Sequence, residues 1–302
     1  MKQKIGVHIN YWNGTGAERD PQELLSLAAC IGADAMDFGT SLALNMTPQE
    51  RLTYAQSAKA AGIALTLNGG RNDADLSHPD AAVRADGLEK CCRALDAAAE
   101  LGSPVWTGVI YAKWLDLPNG LLTREAKVHM WDRAVGSLQV LCTYAKALGI
   151  DICIEIVNRF EAYMINTADD GLRFADDVGA ENLKLLLDAF HMNIEEDCSA
   201  AALERAVRAG RLGHLHISES NRRLPGLRQT DIDWGKLLQP VAQSDYRGSI
   251  ILESMVLSQS PAAHSFRTWR DMTDTPDKQG LICDAKKSIQ FIRSLLCNTI
   301  PA

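Results

Sequence analysis

The chain has 302 residues, 46% of them hydrophobic, with a net charge of −7 and a pI near 5.5. That length and apolar content can bury a large core, and the acidic balance argues against nucleic acid or an anionic membrane as the main partner. A strand begins by Lys4, too early for a signal peptide, and no apolar stretch approaches the ~18 residues of a membrane span, so a cytoplasmic protein is expected.

Strand-like and helix-like segments alternate from one end to the other. Lys4–Ile9 reads as a strand and Pro21–Ile31 as a helix, followed by strand Ala35–Phe38 and helix Pro48–Ala61. Strand Ala64–Leu67 precedes the long alanine-rich helix Ala81–Leu101, and strand Val105–Val109 precedes helix Arg124–Leu148. Strand Asp151–Ile156 leads to helix Thr167–Val178, where Thr167 with Asp170 three residues on resembles a helix N-terminus. Leu183–Leu187, Ser199–Ala209, Leu212–Ile217, Trp234–Gln243, Ser249–Leu252 and Asp284–Leu296 complete the series.

Eight strands alternating with eight helices predict a parallel sheet closed into a (β/α)8 TIM barrel, one α/β domain over residues 1–302. A doubly wound open sheet is the fold alternative, but no G-x-G-x-x-G follows the first strand. The longer connections, 10–20, 68–77, 110–122, 218–233 and 254–283, all follow strands and so fall on one face. The eight cysteines contain no C-x-x-C pair and read as reduced small hydrophobes.

Four apolar runs end in an acidic or imidazole side chain: Glu155, Asp188, His216 and Glu253. The steps between them are 33, 28 and 37 residues. A barrel of ~250 residues spends roughly 31 on each strand-plus-helix unit, and its chemistry lies at the C-terminal ends of its strands. One polar strand end alone is an even choice between a structural hydrogen bond and a role in chemistry. Four in successive units point to a shared site. Three carboxylates and one imidazole, without thiolate, suit Mn²⁺, Mg²⁺ or Co²⁺ and leave positions open for a ligand.

Three longer motifs carry a resemblance. They are Glu155-Ile-Val-Asn-Arg-Phe-Glu161, then Leu187-Asp188-Ala-Phe-His191-Met-Asn-Ile-Glu-Glu196, then Gly213-His-Leu-His216-Ile-Ser-Glu-Ser-Asn-Arg222-Arg-Leu-Pro-Gly226. In this order they closely resemble the D-tagatose/D-psicose (allulose) 3-epimerase family of xylose-isomerase-like barrels. Gly6, Tyr11-Trp12, Leu76–Asp80, Tyr111 and Trp114 resemble it more loosely. The resemblance implies an isomerase that interconverts C3 epimers of free ketoses such as D-tagatose, D-fructose or L-ribulose. It implies one divalent metal, Mn²⁺ foremost, held by Glu155, Asp188, His216 and Glu253, with Glu155 and Glu253 as the acid/base pair. It further implies that Glu161, His191 and Arg222 hold the O1–O2 end of the sugar, and that the protein is a homo-oligomer, dimer or tetramer. His214 shares the face of His216 by period-two alternation and reads as structural or as support for it.

The chemistry agrees with that implication. Inverting C3 of a ketose removes a proton α to the C2 carbonyl and returns one to the opposite face, through a cis-enediolate. Two carboxylates flanking C3 can exchange base and acid roles with the direction of reaction, and a metal adds Lewis-acid stabilisation. Trp114 reads either as a hydrophobic wall for the sugar or as loop packing. His8 stands where the family carries an aromatic residue against the far end of the sugar, and Asn68–Ala74 departs from the family's small-residue pattern. Arg222, Arg223 and Arg228 cluster after the seventh strand, where barrels commonly hold phosphate. The alternative functions are therefore an aldose–ketose isomerase, or an epimerase acting on a phosphorylated or shorter sugar. A metal-dependent endonuclease would need more than seven histidines and a basic face.

Overall fold

The computed structural model describes residues 3–298. Its strands are β1 (Lys4–His8), β2 (Ala35–Gly39), β3 (Ala64–Asn68), β4 (Val105–Gly108), β5 (Asp151–Glu155), β6 (Leu183–Asp188), β7 (Leu212–Ile217) and β8 (Ser249–Leu252). All pair in parallel with their chain neighbours, and β8 pairs with β1 to close the barrel. Parallel neighbours require crossovers, which the intervening helices supply. Most of the helices start on side-chain caps: Asp20 accepts from the Gln22 and Glu23 amides, and Thr47 forms a reciprocal capping box with Glu50. Their apolar faces bury Leu24, Leu95, Leu138, Phe174, Leu203 and Ile289 against the outside of the strands. Each such side chain contributes roughly 1.5–3 kcal/mol by leaving water. Among the described residues no helix is long and apolar enough to cross a membrane.

The barrel interior differs from this outer core. Asp37 on β2 reaches His214 and His216 on β7, although those strands are not neighbours, so all three side chains point into the lumen. A small apolar cluster of Val105, Cys153 and Leu186 fills another part of the barrel. The β6–β7 register slips by one residue between Leu185 and Leu186, with Gly213 as the extra residue on β7. Glycine is required there, because a Cβ would lie 2.5 Å from the Cys153 sulfur.

The observed elements depart from the sequence reading mainly in the connections. β1 ends at His8, whose imidazole accepts from the Asn10 amide and caps a 3-10 turn, Ile9–Trp12. A second such turn, Ala17–Arg19, and short helices Thr40–Leu44, Ala189–Glu195 and Pro261–Phe266 occupy stretches without a readable helical period. The last helix runs Lys278–Asn298 rather than from Asp284. Asp277 caps it by accepting from the Gly280 amide, and a glycine in the first turn hides that start in the sequence.

Candidate active site

β5 and β6 end on Glu155 and Asp188, His216 is the next-to-last residue of β7, and Glu253 follows β8 directly. Pairing of Asp188 with His216, and of Ile217 with Leu252, brings these positions to one level. One donor atom from each of the four lies within 4.8 Å of the others. Asp188 and His216 are fully buried and Glu253 nearly so, while Glu155 is partly open. The His216 Nδ1 lies 3.2 Å from Glu253 Oε2 and 3.9 Å from Glu155 Oε1, without a hydrogen-bond partner.

What aims that nitrogen is Asp37, which the sequence reading missed. Its buried carboxylate accepts from His216 Nε2 at 2.8 Å, from His214 Nε2 at 3.1 Å and from the Thr66 hydroxyl. Nε2 of His216 is thereby committed, and Nδ1 is the atom turned toward the carboxylates. Burial opposes ionisation of Asp37, but the two imidazoles outweigh it and hold its carboxyl far below the usual range. The one signal in the sequence was a lone acid inside the apolar run Ala35-Met-Asp37-Phe38.

Without a metal, the carboxylates repel one another. Burial and the neighbouring Glu253 charge push Glu155 up to about 8. Burial would also raise Glu253, but His216 and Arg222 prevail and hold it well below the usual carboxylate value. His216 is raised in turn, with Glu253 and Asp37 overcoming the burial that would lower it. Three carboxylate groups around a directed imidazole nitrogen are a donor set that fits a hard or borderline divalent ion.

The surrounding residues form the wall of a cavity of ≈ 390 Å³. Arg222 donates to Asp188 at 2.6 Å and Glu253 at 2.8 Å, and its guanidinium stacks 4.0 Å from the Phe190 ring. Its backbone is left-handed, φ 64°, in a turn closed by its amide bonding to the Glu219 carbonyl. His191 accepts the Asn158 amide at Nδ1, so Nε2 carries the proton and lies 3.6 Å from Asp188 and 3.8 Å from Glu155. Burial lowers the His191 pKa and keeps it neutral. Glu161 is held rather than free: Trp114 Nε1 donates to it at 3.0 Å and Asn158 Nδ2 at 3.3 Å. Trp114 thus lines the cavity and fixes Glu161 together.

His8 also lines the cavity, but both its nitrogens are occupied within the protein. Nδ1 accepts from the Asn10 amide and Nε2 donates to Asn68 Oδ1 at 2.9 Å, while Asn68 Nδ2 donates to Thr107. It therefore offers a ligand its ring rather than a polar atom. Arg223 and Arg228 do not join Arg222; they line a separate cavity, where Arg228 pairs with Asp274. The arginine cluster of the sequence is divided in space, and the site loses the feature that suggested phosphate.

The closed parallel barrel agrees with the family whose model matches residues 25–272, the xylose isomerase-like TIM barrels. D-psicose 3-epimerase of Agrobacterium fabrum is 32% identical over 97% of this chain and 99% of its own. L-ribulose 3-epimerase of Mesorhizobium japonicum is 31% identical over 83% of this chain and 81% of its own. A crystal structure of a D-psicose 3-epimerase in the presence of D-fructose superposes with a TM-score of 0.89, at 32% identity, covering 97% of this chain and 99% of that one. The chain belongs to the D-tagatose/D-psicose 3-epimerase family of these barrels.

Proposed function

We propose that this chain is a ketose 3-epimerase acting on free ketoses, with a single Mn²⁺ or similar ion held by Glu155, Asp188, His216 and Glu253. The observation that carries the reading is the convergence of those four donors within 4.8 Å at the wall of a sugar-sized cavity. Hard carboxylate oxygens favour Mn²⁺, Mg²⁺ or Co²⁺ over a thiolate-bound metal. When bound, such an ion supplies Lewis-acid stabilisation of charge on the sugar oxygens.

The chain's own residues account for the rest. Glu155 and Glu253, from strands three apart in the ring, flank C3; one takes its proton and the other returns one to the opposite face. Negative charge developing on the C2 oxygen meets the Nε2–H of His191 and the Arg222 guanidinium, both held in place before the sugar arrives. Glu161, fixed by Trp114 and Asn158, holds the hydroxyl at C1. The ring faces of Trp114 and His8 serve as apolar walls.

The test is incubation with D-fructose, D-tagatose, L-ribulose and D-xylulose in D₂O, with Mn²⁺ or after EDTA, reading label position by NMR. Metal-dependent epimers deuterated at C3 support the proposal. Aldoses labelled at C2, or ketoses labelled at C1, would assign an aldose–ketose isomerase instead.

A further inference from the structure

The cavity has two chemically distinct sides, and only one takes part in the reaction proposed above. Glu155, Glu161, His191, Arg222 and Glu253 all come from β5–β8 and the segments that follow them. The opposite side is built from the ends of β1–β3 and the loops after them. In a closed ring of eight strands, β1 lies four strands from β5 in either direction. The loop after β1 therefore faces Glu161 across the barrel mouth. A ketose held at C1–C2 by Glu161, His191 and Arg222, with C3 between the two glutamates, extends its remaining carbons toward the β1–β3 side, bordered by Gly108, Val109 and Trp114.

Most polar groups on that side are already paired. His8 and Asn68 bond each other, Asn13 donates to Asn10 Oδ1 at 3.1 Å, and the Thr40 hydroxyl donates to the Asn68 and Gly69 carbonyls. Ser41, Asn72 and Glu18 line it without a side-chain hydrogen bond among the described residues, and Glu18 differs from the other two by its charge. It is the one charged side chain on this side of the cavity, and among the described residues its carboxylate has neither hydrogen bond nor ion pair. Its Oε2 is enclosed, which leaves Oε1 as the oxygen that can meet a ligand in the cavity. The turn that carries it, Ala17–Arg19, is anchored by buried Ala17 and by Thr15, whose hydroxyl donates to the Trp12 carbonyl at 2.7 Å and accepts the Ala17 amide. The carboxylate is thus presented from a fixed backbone. A half-buried carboxylate without a protein donor has an acceptor oxygen to offer a ligand hydroxyl, and hydrogen bonds to a charged group are the stronger ones.

Building on the ketose-epimerase reading, we infer that Glu18 is a specificity-determining residue that accepts a hydrogen bond from the terminal hydroxyl of the substrate, O6 of a ketohexose. The same charge disfavours a phosphoryl group at that position. Substrates are then hydroxyl-terminated ketoses, sorted at the far end by a carboxylate in addition to the His8 ring wall.

The test compares D-fructose with 6-deoxy-D-fructose on the Mn²⁺-loaded wild type, E18Q and E18A. It reads kcat/KM for epimerisation and, separately, sugar Kd by calorimetry. The wild type is expected to prefer D-fructose by about tenfold or more, the range for a hydrogen bond to a charged group. In E18A the preference should shrink to within about twofold, with E18Q, which keeps one acceptor oxygen, between the two. Equal treatment of the two sugars by the wild type, or a preference that survives in E18A, overturns the inference and leaves the carboxylate to an ordered water. Should no ketose be epimerised, the proposed reaction fails, while the Kd ratio still decides the role of Glu18. If E18A does not fold, the wild-type ratio and E18Q decide it.

Discussion

Replacing Asp37 with asparagine exchanges one oxygen for an amide nitrogen at a fully buried position that receives three donors: two imidazoles and the Thr66 hydroxyl. Asparagine retains one acceptor oxygen, and its NH₂ group would face a donor. One imidazole must then turn or change tautomer. If His216 moves its proton to Nδ1, the nitrogen directed at Glu155 and Glu253 can no longer take a metal without losing that proton. A carboxylate that orients a metal-binding histidine typically accounts for roughly 10–100-fold in metal affinity. The metal-free fold should weaken as well, by about 3–5 kcal/mol, because a buried charge pair is broken on one side only. Mn²⁺ affinity can be followed by electron paramagnetic resonance of the free ion, and stability by urea unfolding after EDTA. Thr66→Val is the control: it removes one donor to Asp37 and leaves both imidazole contacts, so affinity should change by less than about threefold. An Asp37→Asn variant that binds Mn²⁺ within about twofold of the wild type and unfolds at the same urea concentration would refute the orienting role of Asp37.

Three further expectations follow from the site. Glu253→Gln keeps an oxygen toward the metal position but removes a proton carrier, so sugar binding should persist while kcat falls by about 10²–10⁴-fold; turnover within tenfold of wild type removes Glu253 from the acid/base pair. A metal binds the deprotonated donors, and Glu155 retains its proton up to about 8 while His216 is raised too. Mn²⁺ affinity should therefore increase about tenfold per pH unit for each proton released, levelling off only once both Glu155 and His216 have lost theirs; calorimetry in buffers of differing ionisation enthalpy counts those protons, and pH-independent affinity contradicts the reading. Trp114→Phe preserves the wall but loses the bond to Glu161, so KM for a ketose should rise by roughly 5–10-fold with kcat less affected; steady-state kinetics that show no change would return Trp114 to loop packing.

How far the site is legible in the chain alone depends on where each residue sits. Glu155, Asp188, His216 and Glu253 end apolar runs at nearly constant spacing, so the barrel period brings them to notice. Glu161 and His191 carry weaker local signals and stand out only through their motifs; the structure shows Glu161 held by Trp114 and His191 by Asn158. Asp37 offers only a polar residue in an apolar strand, with no spacing rule to connect it to β7. Glu18 lies in a charged loop, Ala17-Glu18-Arg19-Asp20, where it resembles any solvated acid.

Apolar periodicity and helix caps are local properties of the chain, and they suffice for the order of strands and helices and hence for a parallel sheet of eight units. They also mark which strand ends bear groups able to hold a metal or move a proton. Closure of the ring decides the rest. It places Asp37 against His214 and His216, 177 and 179 residues away, and sets the loop bearing Glu18 across the mouth from Glu161. The left-handed turn at Arg222, a loop angle, parts Arg222 from Arg223 and Arg228, which line a different cavity. Those relations depend on distances between strands that are not adjacent and on backbone angles in loops, and neither has a period in the sequence.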